Sequence, residues 1–188
     1  MCSSDLPAAA PAGQGASGPD TAWLASAVHV VADRLASADR AAPVYHQVLQ
    51  ALLQGLGAQR AVLCLRRGRQ GELAGTLGLA RDVVPGHEHF LVPPQDGQDL
   101  FSLLCWRHAD SVIADARDPV VARGLPHWWR QHLAAGTLLV LPLVHQGEPV
   151  GMLYCDAPQP GALDLDEGQW RLVRTLRNQA LLAWRIAG

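Results

Sequence analysis

The chain has 188 residues, 49% of them hydrophobic, which is enough for one sizeable core and short of two. Its 15 basic and 17 acidic residues leave a formal charge of -2, which offers no overall electrostatic attraction for nucleic acid or an anionic membrane. Cys2, Cys64, Cys105 and Cys155 include no CxxC pair, which argues against a disulfide framework or structural zinc and for reduced thiols.

Residues 1–20 are small, rich in Pro and Gly and nearly free of large apolar side chains. They cannot offset ordering entropy by burial and read as a linker or tail ahead of a single domain over residues 21–188. No basic start followed by an apolar stretch marks a secretory signal, and the most apolar run, residues 138–144, is far short of a bilayer span. A cytoplasmic location is the expectation.

After Asp20 or Thr21 as a cap, TAWLASAVHVVADRLA repeats Trp23, Ala27, Val30, Val31 and Leu35 at helical spacing. A second helix is predicted over 43–56, with Pro43 in its first turn and Gly55 and Gly57 at its end. Residues 60–65 and 72–80 form a hairpin across the basic turn RRGRQG. Arg66, Arg67 and Arg69 concentrate charge there, a solvated hairpin tip unless an anionic partner meets it. Residues 83–94 read as a long loop with a short strand near 90–92.

QDLFSLLCWRH, residues 98–108, reads as a helix, SVIAD as a short strand, and RDPVVARGLPHWWRQHL as a helical turn, a break and an aromatic helix. Trp128 and Trp129 are adjacent there and must point in different directions. Residues 137–144 and 149–156 pair as a long hairpin closed by HQGE. Pro142 cannot donate to a ladder and so belongs at an edge, a bulge or an unpaired position. The last helix starts near residues 164–167 and carries Trp170, Val173, Leu176, Ala180, Leu181 and Trp184 on its apolar stripe.

PLVHQGEPVGMLYCD followed by a long helix resembles the closing hairpin and helix of GAF domains. DLFSLLCWRHADSVIAD, LPHWWRQ and LLVLPLVHQGEPVGMLYCDA narrow the resemblance to the GAF-like region that accompanies HDOD domains in bacterial signalling proteins. The resemblance spans roughly residues 41–186. It implies an α+β fold: a central antiparallel sheet of five or six strands, terminal helices packed on one face, and short helices and loops enclosing a cavity on the other. It also implies a non-catalytic sensory or regulatory module that forms a homodimer through its terminal helices, acts on a partner signalling protein and takes an unidentified small ligand. The Asn-Lys-Phe-Asp-Glu pattern of cyclic-nucleotide-binding members has no counterpart here, and no cofactor is implied.

Phe90, Phe101, Cys105, Trp106, Trp128 and Trp129 are the pocket candidates, because aromatics supply rigid apolar area with a polar edge; ordinary core packing is the competing reading. Trp23, Val30, Val31, Trp170, Val173, Leu176 and Trp184 are the dimer-interface candidates, unless both stripes simply cover the sheet. His87 and His89 flank Glu88 and could present nitrogens to a metal, but no spacing supplies a third ligand, so no metal is assigned. The rival function is a small redox or metal-dependent enzyme using Cys105 or one of His87, His89 and His108 in the same cavity. A third reading is a protein-interaction scaffold with a collapsed pocket.

Overall fold

A computed structural model describes residues 18–37, 40–68, 71–93 and 98–187. Residues 1–17 of the expected linker, with Cys2, and Arg69 of the basic turn lie outside the described residues. The elements run α1 (Thr21–Ala36), α2 (Ala41–Gly55), β1 (Arg60–Arg67), β2 (Glu72–Ala80), a 3-10 turn (His87–His89), β3 (Leu91–Val92), α3 (Leu100–Trp106), β4 (Ser111–Ile113), α4 (Pro119–Gly124), α5 (His127–His132), β5 (Thr137–His145), β6 (Glu148–Ala157) and α6 (Glu167–Ala187). The six strands form one antiparallel sheet in the order β3-β2-β1-β6-β5-β4.

The central strands read as unbroken apolar runs because both faces of the sheet are covered. With side chains alternating, Ala61, Leu63, Leu139, Leu141, Leu153 and Cys155 enter the core beneath the terminal helices. Val62, Cys64, Leu138, Val140, Met152 and Tyr154 enter a second core on the opposite face. The β5–β6 hairpin closes through Gln146 and Gly147, both at positive φ (52° and 80°), the twist that a two-residue turn between antiparallel strands needs.

Helices α1, α2 and α6 form the layer over the first core, burying Leu24 and Val31, Val48 and Leu52, and Val173 and Leu176. Asp20 caps α1 by accepting from the Trp23 amide at 3.0 Å. At the start of α6, Asp166 accepts from the Gln169 amide at 2.8 Å and the Asp166 amide donates to Gln169 Oε1 at 3.0 Å, a reciprocal capping box. Gln169 Nε2 also donates to Pro19 O and Thr21 Oγ1, and Gln179 Nε2 donates to Val28 O. These paired contacts set α1 and α6 parallel, whereas Asp20 N donating to Gly55 O returns α2 antiparallel to α1.

Several boundaries move for physical reasons. β1 extends past residue 65 because Arg66 and Arg67 still pair with Leu73 and Glu72. α3 is shorter than residues 98–108: Asp99 caps it by accepting from Ser102 N, and His108 at φ 54° lies beyond its end. Pro142 sits where β5 has lost its outer neighbour, since β4 pairs only with Leu138, Leu139 and Val140. Asp110, just before β4, binds Arg177 Nη1 at 2.8 Å and Arg174 Nε at 3.1 Å, and Arg177 Nη1 reaches Pro142 O at 3.5 Å. Among the described residues, no helix is long and apolar enough to cross a membrane.

Gly75 in β2 lies directly under the 3-10 turn, where an added Cβ would fall 1.8 Å from the His87 carbonyl oxygen. Backbone cannot yield as a flexible side chain can, so Gly75→Ala should destabilise the protein by on the order of 3 kcal/mol, read as a lowered urea midpoint.

Candidate functional site

On the sheet face away from the terminal helices, strand alternation brings Arg60 of β1 and Tyr154 and Asp156 of β6 to one side, with Arg60 and Asp156 directly opposite in the ladder. Phe90 precedes β3, α3 supplies Phe101 and Cys105, and α5 supplies Trp128 and Trp129. Tyr154 is the hub of this group. Its ring meets Phe90 at 4.9 Å and Phe101 at 5.8 Å, both edge-on, and Trp128 packs on the same two phenyl rings at 4.7 and 5.7 Å. Trp128 Nε1 donates to Leu91 O at 3.0 Å.

A polar chain runs beneath the rings. Trp129 Nε1 donates to Tyr154 Oη at 2.8 Å, and Tyr154 Oη donates to Asp156 Oδ2 at 2.8 Å. Arg60 Nη1 lies 3.4 Å from the same Oδ2, an ion pair without hydrogen-bond geometry. Arg60 is 4% exposed and Asp156 0%. Among the described residues, Arg60 Nε, Arg60 Nη1 and Asp156 Oδ1 have no hydrogen-bond partner. Burial pushes the Asp156 carboxyl up to about 6 even though Arg60 and the Tyr154 hydroxyl favour its charged form.

Five of the six pocket candidates, Phe90, Phe101, Cys105, Trp128 and Trp129, converge here and pack on one another. Trp106 does not join them: it faces the first hairpin, where the Arg66 guanidinium lies 6.0 Å from its ring. Trp128 and Trp129 do diverge, Trp129 inward to Tyr154 and Trp128 across the rings to Leu91. Sequence reasoning does not single out Arg60 or Tyr154, and it reads Asp156 only as one of the scattered acids near strand ends, with Asp110, Asp115 and Asp118, whose spacing demands no convergence. The available signal was a charge at each end of two apolar strands, but only the register shows that the charges face each other.

The cysteines are poor nucleophiles. Burial raises the thiols of Cys64, Cys105 and Cys155, that of Cys105 to about 12. His87 Nδ1 and His89 Nε2 each lie 3.6 Å from the Glu88 carboxylate, and the His89 and His132 rings stack at 3.9 Å. Among the described residues, no three His, Cys, Asp or Glu side chains come together as metal ligands would.

The interface candidates divide. Val31, Val173 and Leu176 are fully buried in their own core, Val31 because α1 packs on α2 and α6 and the other two because α6 packs on α1, α2 and β5, and they have no surface to offer a second chain. Trp170 is half-buried under the Arg174 guanidinium, and Trp184 lies half-buried against His145. Trp23 and Val30 are open, at 46% and 48% exposure. They border a groove of about 180 Å³ between α1 and α2, rimmed by Gln47, Gln50 and Gln54.

The Asp156 carboxyl sets a pH dependence of defined sign. Its folded value lies above the ordinary carboxylate value, so the native state holds a proton that the unfolded chain has released, and stability falls as pH rises from about 4 to about 6. Asp156→Asn removes that titration. The unfolding free energy of the parent minus that of the variant should drop by about 3 kcal/mol over this window, measured by urea unfolding at stepped pH.

Residues 42–185 match the GAF domain family. No curated protein matches the sequence. Among solved structures, the fold is similar to the GAF domain of an Acinetobacter phosphoenolpyruvate-protein phosphotransferase, with TM-score 0.68, 15% identity and coverage of 87% of this chain and 92% of that one. It is also similar to the free methionine-R-sulfoxide reductase of Neisseria meningitidis in complex with its substrate, with TM-score 0.68, 14% identity and coverage of 93% and 96%. A protein described as a GAF sensor from Burkholderia vietnamiensis gives TM-score 0.68, 16% identity and coverage of 89% and 98%. With three quarters of the chain inside the family match and the six-stranded sheet between its two layers, this chain belongs to the GAF domain family.

Proposed function

We propose that the chain is a non-catalytic sensory or regulatory GAF module of the bacterial cytoplasm that self-associates through its helix layer. It would sense a small molecule on the aromatic face and act on a partner signalling protein, as a GAF-like region of the kind that accompanies HDOD domains. The observation that carries the reading is the division of labour between the two faces. One presents aromatic rings around a buried charge pair; the other leaves Trp23 and Val30 open beside an uncharged, glutamine-rimmed groove.

An isologous interface must complement itself, and a neutral apolar surface does so without opposing like charges. Removing α1 altogether is a poor test of the interface, since Leu24 and Val31 belong to the core. Trp23→Glu combined with Val30→Glu leaves the buried face intact. By sedimentation, the parent should be a dimer and the double variant a folded monomer; a dimer that survives both changes rules this interface out. Native mass spectrometry of the freshly purified parent then reads any retained small molecule as added mass.

The enzyme alternative makes an opposite demand on the thiols. Cys64, Cys105 and Cys155 are all buried, so native-state iodoacetamide should label each far more slowly than in urea. Rapid native labelling of Cys105 would favour the enzyme.

A further inference from the structure

We infer that the Arg60–Asp156 pair is the polar floor of a closed site beneath α5 that takes a small molecule of zero net charge carrying a hydrogen-bond acceptor beside a donor. The inference rests on the sensory reading and names the chemistry of its ligand.

Both side chains are more than nine-tenths buried, yet two guanidinium nitrogens of Arg60 and one carboxylate oxygen of Asp156 have no hydrogen-bond partner among the described residues. A buried polar group left unmatched costs about 1–3 kcal/mol, more when charged, so three such atoms in one place mark a position built to be completed. The complement is specific. Arg60 Nε and Nη1 ask for an acceptor, and Asp156 Oδ1 asks for a donor. The pair is already electrically balanced, so an added anion would face Asp156 and an added cation would face Arg60 in a poorly screened interior. A primary carboxamide meets these demands as a neutral group, and an amino-acid zwitterion meets them with two opposite charges.

α5 is the cover. It has six residues and follows the Leu125–Pro126 break. Its side-chain contacts include Trp129 Nε1 on Tyr154 Oη, Trp128 Nε1 on Leu91 O with its ring against Phe90 and Phe101, and the His132 ring on His89. The first is continuous with the floor, because the Tyr154 hydroxyl donates its own hydrogen bond to Asp156 Oδ2. Releasing Trp129 therefore uncovers Tyr154, Asp156 and Arg60 together.

The test follows the Arg Nε–H and Trp Nε1–H signals of the ¹⁵N-labelled full chain by NMR while acetamide, glycine, acetate or methylammonium is added. Saturable movement of the Arg60 and Trp129 signals with acetamide or glycine, and none with the two singly charged probes, is the expected result. Which of the two neutral probes acts separates an amide from a zwitterion. Trp129→Phe loosens the cover while keeping an aromatic ring, and should tighten the effective probe about fivefold by removing part of the cost of opening. Asp156→Asn should abolish the response; if that variant does not fold, the Trp129→Phe result decides. No saturable shift with any probe, equal shifts with charged and neutral probes, or an unchanged affinity in Trp129→Phe overturns the inference. A retained molecule seen by native mass spectrometry whose removal leaves the Arg60 signal unmoved would also overturn it, while leaving the sensory reading standing.

Discussion

The sheet centred on β1, β6 and β5 is apolar on both faces, and every other element answers to that. Each fully buried Leu or Val contributes roughly 1.5–3 kcal/mol only if water is kept from it. Both faces of Leu138–Leu143 and Val150–Cys155 must therefore be roofed. The terminal helices roof one face with long aliphatic stripes, fixed in direction by Gln169 and Gln179. The other face has no long helix. Short segments cover it by presenting large rings, so a few residues of α3 and α5 do the work of a whole helix.

Long, strongly periodic segments were legible in the sequence. α1, β2, the β5–β6 hairpin and α6 fall where spacing and turn residues put them, because in each the local signal and the tertiary demand agree. The clustering of Phe90, Phe101, Cys105, Trp128 and Trp129 was legible too, since rings between residues 90 and 129 had one uncovered sheet face to fill. What could not be read was which side of a stripe would be consumed internally. Val30 and Val31 are neighbours with equal claims, and only the packing of α1 against α2 and α6 buries one and exposes the other. Arg60 and Asp156 were hidden for a similar reason: each is an ordinary strand-end charge until the β1–β6 register sets them face to face. Trp106 reads as part of the aromatic group by sequence proximity, yet it ends α3 on the side of Arg66.

A buried ion pair is weak evidence for stability, because the desolvation of two charges offsets most of their attraction. Here the pair is more informative about arrangement. Tyr154 can donate to only one acceptor, and its bond to Asp156 fixes the direction of the Trp129 bond that follows. The orientation of α5 is thereby tied to a carboxylate near the end of the central strand β6. Helix α6 is tied to the opposite layer by another route, since Arg174 and Arg177 grip Asp110 in the link between α3 and β4. The two layers are thus joined around the rim of the sheet as well as through it.

Pro142 and Arg177 give that rim a further meaning. Where β4 stops, β5 would otherwise display a row of free backbone groups, and a row of that kind recruits strands from other molecules without limit. Proline removes the donor at this step, and the Arg177 guanidinium occupies the carbonyl beside it. At this step of β5 a neighbouring copy finds no donor to pair with and a carbonyl that is already engaged.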